Sequence, residues 1–411
     1  MLLENYAPPS EIKEEIELDE WNDFNSIPSN SYSIKTGLKA RWLKLKFRLY
    51  TLRILINNIG FKKKTLRILL QLRSKNHSIH GKNVLNKWIQ IGNKNYFYLY
   101  APSFPSKAME KMLIYEVERI QQPEILKIRF AFLAITKKCP MKCEHCFEWD
   151  HINQKEVLTY ENLRTIVIKL IQSGINQLHL SGGEPMLRVH DIIKLAEEFS
   201  HEIEIWVLTS GYNGTKENIS LLKEAGVTGF VVSLDHYEAA SHNKFRGHPQ
   251  AFERATNTIK YARTANMPVA ISICTVREFC NTTDLFYFLS LAQKLDVSFI
   301  QLLEPKAIGH YAQKDVLLHE SHQKVLESFY HKVNTSKNYM NSPIIVYHGY
   351  YQRQIGCMTG GNRALYVDTN GSALSCPFCH CSSGNFLHDD ATTIISNLRK
   401  KGCSTYGLSS I

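Results

Sequence analysis

Between about residue 127 and residue 303, short apolar runs alternate with amphipathic helical stretches, and the alternation repeats six times. Apolar runs bounded by helical stretches predict buried strands in βαβ units, and therefore a parallel sheet. The six predicted strands are Ile128–Thr136, Gln177–Ser181, Ile203–Thr209, Gly229–Leu234, Val269–Cys274 and Ser298–Leu303. Six units are fewer than the eight of a closed barrel, so the expected fold class is α/β with an open, partial (β/α)6 barrel.

A three-cysteine loop follows directly after the first predicted strand, with Cys139, Cys143 and Cys146 spaced as Cys-x3-Cys-x2-Cys. Three thiolates on one short loop can hold three corners of an iron–sulfur cube and leave the fourth iron open. A structural zinc site is the alternative, but such sites take four protein ligands, and no fourth cysteine lies nearby. The start of the chain shows no export signal, so its ten cysteines are expected to be thiols or metal ligands rather than disulfides.

The second predicted strand runs into Gly182, Gly183 and Glu184. Two glycines would let a ligand approach the backbone closely, and the carboxylate can accept hydrogen bonds from an ammonium group. A Gly-Gly-Glu segment by itself occurs in ordinary turns. Its position one strand after a three-cysteine loop is what makes it informative.

The pairing of these two motifs resembles the radical S-adenosylmethionine (radical SAM) superfamily over about residues 125–340. The resemblance implies that the three cysteines ligate a [4Fe-4S] cluster whose free iron is chelated by S-adenosylmethionine. It also implies that the Gly-Gly-Glu segment binds the methionyl ammonium, and that His145 lies against the adenine. One electron from the reduced cluster would cleave a carbon–sulfur bond, giving methionine and a 5′-deoxyadenosyl radical that abstracts hydrogen from the substrate.

Polar residues also follow three later strands, where ligand groups gather in (β/α) barrels. By the same resemblance, the further residues expected to bind S-adenosylmethionine are Thr209, Ser210, Ser233, Asp235 and Glu304. Arg246 lies in a stretch that resembles peptide-modifying members of the family, and we expect it to be a cation near the substrate side. Cys274 and Cys280 are expected to be buried thiols rather than ligands.

The C-terminal region carries five further cysteines: Cys357, Cys376, Cys379, Cys381 and Cys403. The spacing Cys357-x13-Gly371-x4-Cys376, with a β-hairpin between, resembles the SPASM and twitch extensions that bind auxiliary iron–sulfur clusters. A full SPASM module needs seven cysteines, so the resemblance implies one auxiliary [4Fe-4S] cluster held by four of the five. As ligands of this cluster, Cys357 and Cys376 are the first candidates, and Cys379 and Cys403 are the next. Cys381 is the substitute for one of these four. A four-cysteine zinc site is the alternative.

The net charge of +11 is concentrated near the N-terminus. Residues 1–34 carry eight acids and one lysine, whereas residues 35–109 carry 17 Lys+Arg and no acid. Two basic amphipathic helices are predicted within Lys39–Arg73, the first ending at Gly60, and a β-hairpin is predicted over Trp88–Tyr100. The apolar face predicted for the first helix consists of Trp42, Leu45, Leu49, Leu52 and either Leu55 or Ile56.

A basic segment of this kind attracts an anionic partner. An anionic membrane surface is favoured over nucleic acid, which we do not expect, because the interleaved residues are mainly Leu and Ile rather than stacking aromatics. A helical cap whose lysines face water is the alternative, and the acidic stretch could also mask the basic one. No window of 18 apolar residues is present, so a cytoplasmic protein is expected, with peripheral association at the inner membrane surface as an option.

Four regions are predicted. They are an acidic tail (1–34), a basic helical region with a hairpin (35–124), the radical SAM partial barrel (125–340) and a small cysteine-rich extension (341–411).

The expected substrate is a peptide or protein, since one auxiliary-cluster extension of this type is common among peptide maturases. An external electron donor of the flavodoxin or ferredoxin type is expected with it. Modification of a lipid or membrane-bound precursor is an alternative, and so is a non-catalytic iron–sulfur or zinc scaffold, although the Gly-Gly-Glu segment argues against the scaffold. No cobalamin is expected, because residues 1–120 lack a glycine-rich strand–helix alternation.

Overall fold

The structure is a computed structural model that describes residues 32–60, 63–80, 86–403 and 405–407. The predicted acidic tail therefore lies, except for residues 32–34, outside the described residues. No helix in the described part of the chain is long and apolar enough to cross a membrane.

The N-terminal region contains three short strands and three helices. In chain order these are β1 (Tyr32–Lys35), α1 (Gly37–Ile59), α2 (Lys63–His80), β2 (Trp88–Ile91), β3 (Lys94–Tyr96) and α3 (Lys107–Gln121). The strands form an antiparallel sheet in the order β1-β2-β3. A hairpin forms where it was predicted, but its second strand ends at Tyr96 instead of Tyr100, and β1 adds a third strand. Gly60 caps α1 by donating its backbone N–H to the Ile56 carbonyl, as its position predicted.

The apolar face predicted for α1 is not the face that packs on the protein. Trp42, Leu45 and Leu49 are exposed, whereas Leu43 and Ile54 are buried against α3 and the β2–β3 hairpin. The helix carries apolar side chains on two opposite faces, and periodicity alone does not say which of two apolar faces is buried. Of the residues predicted for the apolar face, Leu55 is fully buried.

The rest of the chain forms one large sheet flanked by helices. Its elements are β4 (Phe130–Ala134), α4 (Tyr160–Gln172), β5 (Gln177–Ser181), α5 (Val189–Phe199), β6 (Glu204–Thr209), α6 (Lys216–Ala225), β7 (Gly229–Ser233), α7 (Ala239–Arg246), α8 (Ala251–Thr264), β8 (Val269–Cys274), α9 (Thr282–Lys294), β9 (Phe299–Leu303), α10 (Glu320–Thr335), β10 (Ile344–Tyr347), α11 (His348–Ile355), β11 (Ala364–Val367), β12 (Ala373–Leu374) and α12 (Ala391–Lys401). All six predicted strands are present within one or two residues of their predicted bounds. The α/β partial-barrel class is confirmed.

The sheet is wider than six strands, because the C-terminal region contributes to both of its edges. The order is β10-β9-β8-β7-β6-β5-β4-β11-β12, and every neighbouring pair is parallel except β11 with β12. The sheet thus continues past the boundary predicted at residue 340. The β11–β12 pair is the hairpin predicted around Gly371, and it lies beside the first barrel strand.

The two faces of the sheet bury different partners. Leu178 and Leu180 of β5 belong to a core shared with the surrounding helices, as strands alternate their side chains between faces. On the inner face, Phe130, Trp206 and Phe299 pack against Leu99 and Tyr100 from the N-terminal region. The N-terminal region therefore fills the inner face near the start of the parallel strands, which leaves the carboxyl ends of the strands for a ligand.

Candidate functional site

The three-cysteine loop lies at the carboxyl end of β4, and its backbone is fixed from several sides. Cys143 is buried with Met141 and Ala251, and Cys139 and Cys146 adjoin the same small cluster. The Cys139 backbone exchanges two hydrogen bonds of 3.0 Å with the side-chain amide of Asn153. The loop is therefore held by its own surroundings rather than by its thiols.

The end of α7 holds the same loop through backbone hydrogen bonds. The Lys142 N–H donates to the Arg246 carbonyl, and the Glu144 N–H donates to the Phe245 carbonyl, both at 3.0 Å. Gly247 follows at φ +61, where an added Cβ would lie 2.5 Å from the Lys142 carbonyl oxygen. This close approach requires glycine at that position.

The Gly-Gly-Glu segment packs directly on the loop that carries the cysteines. The Gly183 N–H donates to the Thr136 carbonyl at 2.7 Å, and the Glu184 N–H donates to the Lys138 carbonyl at 2.8 Å. A Cβ added to Gly183 would lie 2.3 Å from the Lys138 carbonyl oxygen and 3.1 Å from Cys139 Cβ. Glycine is therefore needed here because the backbone that carries the cysteines approaches so closely. From the sequence alone, the glycines were expected to make room for a ligand.

Glu184 joins the end of β5 to the end of β6. Its Oε1 accepts hydrogen bonds from the Met186 N–H at 3.0 Å and the Thr209 hydroxyl at 2.6 Å. Its Oε2 accepts from the Ser210 N–H at 2.8 Å and from the Ser210 hydroxyl. Burial raises the pKa of Glu184, and these hydrogen bonds oppose the rise. Three residues predicted for one site, Glu184, Thr209 and Ser210, are therefore in mutual contact.

Asp235 and Arg246 form a buried ion pair beside the loop. Arg246 Nε lies 2.5 Å from Asp235 Oδ2, and Arg246 Nη1 lies 3.7 Å from Cys143 Sγ. Asp235 Oδ1 also accepts the Cys274 N–H at 2.9 Å. Burial would raise the pKa of Asp235, but the Arg246 guanidinium holds it below its ordinary value. Arg246 thus lies between a strand-end carboxylate and a cluster-loop thiol, and its side chain is nearly fully buried.

His145 stacks on Phe245, with ring centroids 4.8 Å apart and planes at 15°. Burial and the nearby Arg246 lower the pKa of His145 to about 4, so the imidazole is neutral. His145 Nδ1 is buried with no hydrogen-bond partner among the described residues. One face of the ring is thus covered by protein, and its expected contact with adenine stays a prediction.

The segment after β9 also touches the loop, and no motif in the sequence indicated it. His310 Nδ1 donates to the Cys143 carbonyl at 3.0 Å, and the His310 N–H donates to the Cys146 carbonyl at 2.9 Å. The His310 ring stacks on Trp149 with centroids 4.0 Å apart. At Gly309, with φ +55, a Cβ would lie 2.3 Å from the Cys146 carbonyl oxygen. A glycine before a histidine was the available signal, but it is too common to be informative.

The remaining two strand-end residues have other surroundings. Ser233 ends β7 in register with Ser272 of β8. Glu304 Oε1 accepts hydrogen bonds from the Tyr347 hydroxyl at 2.7 Å and from Arg353 Nη1 at 2.6 Å. Burial would raise the pKa of Glu304, but Arg353 holds it below its ordinary value. Glu304 therefore ties β9 to α11, and its expected role toward S-adenosylmethionine stays a prediction.

Four of the five C-terminal cysteines lie in one neighbourhood. Burial raises the pKa of the Cys357 thiol, and nearby Cys403 raises it further. Neighbouring Cys379 and burial raise the pKa of the Cys376 thiol, and Cys357 adds to that rise. Cys376 Sγ lies 3.4 Å from Cys379 Sγ. Cys381 is exposed. The structure thus groups the four residues that the sequence analysis ranked highest.

The two cysteine regions are adjacent. Phe147, directly after Cys146, packs edge-on against Phe378, which lies between Cys376 and Cys379, with ring centroids 5.7 Å apart. Glu148 accepts a hydrogen bond of 2.8 Å from the Tyr366 hydroxyl on β11. The extension is therefore attached to the cluster loop through buried contacts.

The donor chemistry of both regions fits iron–sulfur clusters. All ten cysteines are free thiols, and thiolates are the ligands that such clusters take. Among the described residues, no three Cys, His, Asp or Glu side chains converge closely enough to hold a single metal ion. A cluster binds each thiolate to a separate iron, so it does not require its ligands to converge on one point.

Comparisons with known proteins agree with this geometry. Residues 133–279 match the family model described as "Radical SAM superfamily". The chain is 25% identical over 286 residues to an AdoMet-dependent heme synthase of Methanosarcina barkeri, covering 64% of this chain and 80% of that protein.

Two solved structures share the fold. SuiB of Streptococcus suis, bound to the precursor peptide SuiA, is similar with a TM-score of 0.56 at 14% identity, covering 84% of this chain and 80% of SuiB. The enzyme anSMEcpe with bound AdoMet and Cp18Cys peptide has a TM-score of 0.52 at 15% identity, covering 66% of this chain and 82% of that one.

Proposed function

Because this chain is a radical SAM enzyme, we propose that it abstracts hydrogen from a peptide or protein substrate, using S-adenosylmethionine and a [4Fe-4S] cluster held by Cys139, Cys143 and Cys146. When bound, the reduced cluster supplies the electron that breaks a carbon–sulfur bond of S-adenosylmethionine. An external flavodoxin- or ferredoxin-type donor would supply that electron in turn. The other steps depend on residues that position these groups.

The observation that carries the proposal is the direct packing of Gly182–Glu184 on the cysteine loop. This contact fixes the distance between the thiols and the strand-end polar groups before any ligand arrives, and such preorganisation reduces the cost of binding. Within it, Glu184 holds Thr209 and Ser210 in place, and Arg246 holds Asp235 against the loop. These residues would orient the amino-acid and ribose parts of S-adenosylmethionine.

A peptide or protein substrate is supported by the structural neighbours. SuiB is bound to its precursor peptide and anSMEcpe to a Cp18Cys peptide, and both share the fold of this chain. The filled inner face of the sheet near Leu99 and Tyr100 favours access from the carboxyl ends of the strands, where the cysteine loop lies. A peptide would approach from that side.

A haem precursor is the second candidate substrate, and it rests on the relative in sequence. The similarity to the AdoMet-dependent heme synthase covers 64% of this chain, and an identity of 25% leaves substrate choice open. Formation of 5′-deoxyadenosine, measured separately with candidate peptides and with a haem precursor, separates the two. A mass change in the peptide coupled to 5′-deoxyadenosine supports our proposal, and stimulation by the haem precursor alone contradicts it.

The auxiliary cluster is part of the proposal, with Cys357, Cys376, Cys379 and Cys403 as its ligands. Their proximity supports this set over any set that includes the exposed Cys381. An auxiliary cluster there could orient the substrate or accept an electron after hydrogen abstraction. The ring contact between Phe378, which lies between Cys376 and Cys379, and Phe147, which follows Cys146, supports both roles.

Replacing Cys357 with alanine is expected to lower bound iron by about four atoms per chain, which is one cluster's worth. Cleavage of S-adenosylmethionine should continue without coupling to substrate, because the first three cysteines remain. Cys381→Ala is the matched control and should keep its iron, since Cys381 is exposed. Iron and zinc analysis after anaerobic reconstitution checks this. Stoichiometric zinc, or equal iron loss in both variants, would contradict it.

Replacing Glu184 with glutamine is expected to weaken binding of S-adenosylmethionine about tenfold while leaving the absorbance of the cluster unchanged. The amide would present an N–H to the Thr209 or Ser210 donors, and a buried unpaired donor costs about 1–3 kcal/mol. Calorimetric titration of the reconstituted variant measures the affinity.

Glu204→Gln is the matched control for that experiment. Glu204 is also buried and accepts hydrogen bonds from Ser103, but it lies at the opposite end of the sheet, where β6 begins. It should lose comparable stability and keep its affinity for S-adenosylmethionine. Equal loss of affinity in both variants would show that Glu184 acts through general stability alone.

A further inference from the structure

Helix α1 carries a second apolar face that no part of the described chain covers. Leu38, Trp42, Leu45 and Leu49 are 79%, 55%, 52% and 58% exposed, respectively. At about 100° per residue, these four side chains fall within one sector of about 60° on the helix. We call this sector the α1 outer face. It is directly opposite the buried face, so packing among the residues that the structure describes does not account for its large apolar side chains.

The α1 outer face is flanked by cations on both sides. By the same helical geometry, Lys39, Lys46 and Arg53 lie along one flank, and Arg41 and Arg48 lie along the other. All five are exposed, and Lys46 Nζ lies 3.4 Å above the ring of Trp42. Residues 35–109 contain no Asp or Glu, so no acid of this segment offsets the charge.

Helix α2 also exposes leucine side chains beside basic ones. Leu66 and Leu70, one turn apart, are both more than half exposed, and Lys63, Lys64 and Arg67 are exposed beside them. Exposed apolar side chains in this number on adjacent helices are unusual for a surface that faces only water. A partner must therefore offer both an apolar phase and negative charge.

We propose that the α1 outer face binds an anionic phospholipid bilayer, with the helix lying in the plane of the membrane interface. An apolar stripe with Trp and Leu, bordered by Lys and Arg, matches the boundary between acyl chains and anionic headgroups. Nucleic acid would use the cations but would leave the three leucines in water. The proposal concerns where the enzyme works and does not depend on the identity of its substrate.

The test is co-sedimentation of the full chain with vesicles of phosphatidylcholine alone or with roughly one third phosphatidylglycerol, at low and high salt. Binding is expected to the anionic vesicles and to weaken with salt, because the cations are exposed to screening ions. The variant Leu45→Glu/Leu49→Glu should bind about tenfold or more weakly. The matched control Leu221→Glu/Leu317→Glu changes two exposed leucines elsewhere by the same charge and should bind as the wild type does.

Several results would overturn the proposal. They are failure of the wild type to bind anionic vesicles at low salt, equal binding to both vesicle types, and equal binding by both double variants. A dimer that forms without vesicles and dissociates in Leu45→Glu/Leu49→Glu would assign the face to a second copy of the chain. If the wild type does not bind but a full-length variant with the acids of residues 11–20 neutralised does, the chain's own acidic segment covers the face.

Discussion

Replacing Cys143 with alanine is expected to abolish formation of 5′-deoxyadenosine from S-adenosylmethionine. Cys143 is the buried member of the three-cysteine loop, beside Arg246, and removing its thiol leaves two ligands where a site-differentiated cluster needs three. The stability cost should be small, since a cysteine-to-alanine change removes a single sulfur from the small pocket formed with Met141 and Ala251. Chromatographic assay of 5′-deoxyadenosine under reducing, anaerobic conditions measures the effect.

Cys280→Ala is the matched control for this experiment. Cys280 is also a buried free thiol, but its sulfur contacts the Thr275 carbonyl after β8 and lies outside the cluster loop. This variant should retain its iron and its activity. Loss of activity in both variants, or retained activity in Cys143→Ala, would refute the assignment of the cluster to this loop.

The second large effect is expected from Gly183→Ala. The added methyl group would lie 2.3 Å from the Lys138 carbonyl oxygen and 3.1 Å from Cys139 Cβ, so the backbone carrying the first cysteine must move. Overpacking of this kind costs about 1–3 kcal/mol, and here the displacement falls on a cluster ligand. We expect poor incorporation of the primary cluster and loss of most S-adenosylmethionine cleavage, measured by iron content and by 5′-deoxyadenosine.

Gly92→Ala provides the comparison, because no atom lies within 4 Å of a Cβ added in the β2–β3 turn. Its positive φ of 56° makes alanine mildly unfavourable there, at about 1 kcal/mol. Iron content should be unaffected. If Gly183→Ala binds a full complement of iron with normal activity, the packing of Gly183 on the cysteine loop is not what organises the site.

The sequence was sufficient to predict most of the barrel, because its strands are apolar runs of five or six residues between strongly amphipathic helices. It was not sufficient for β10, a strand of four residues in a region without periodicity, or for the place of the predicted β11–β12 hairpin in the large sheet. The strands β10 and β11 flank the six predicted strands on opposite sides, because they pair with β9 and β4, which are distant from them in sequence. That pairing leaves no local pattern.

The candidate site likewise has residues that the sequence predicted and contacts that only the fold shows. Motif spacing alone indicated Cys139, Cys143 and Cys146, because contiguous ligands leave a local pattern. The contact between Arg246 and Asp235 joins two residues that are 11 positions apart across a loop and a helix, and nothing in the sequence indicated that the two form an ion pair. The hydrogen bonds from His310 to the loop span more than 160 residues. Contacts of that separation follow from the fold, so they can be identified only after it is known.

The α1 outer face shows a different limit of prediction from the sequence. The periodicity correctly indicated a helix with apolar residues at Trp42, Leu45 and Leu49, but it did not show whether they pack on the protein or face outward. A helix with two apolar faces gives the same signal for either face. The structure identified the buried face, and the exposure of the opposite face is the basis for the membrane proposal.

Electron paramagnetic resonance of the anaerobically reconstituted, reduced protein, with and without S-adenosylmethionine, tests the central claim most directly. The Cys357→Ala variant simplifies the spectrum by removing the proposed auxiliary cluster. We predict a signal from a reduced [4Fe-4S] cluster that changes on addition of S-adenosylmethionine and is absent from a Cys143→Ala/Cys357→Ala double variant. The absence of a cluster signal, or a signal that S-adenosylmethionine does not alter, would contradict the account.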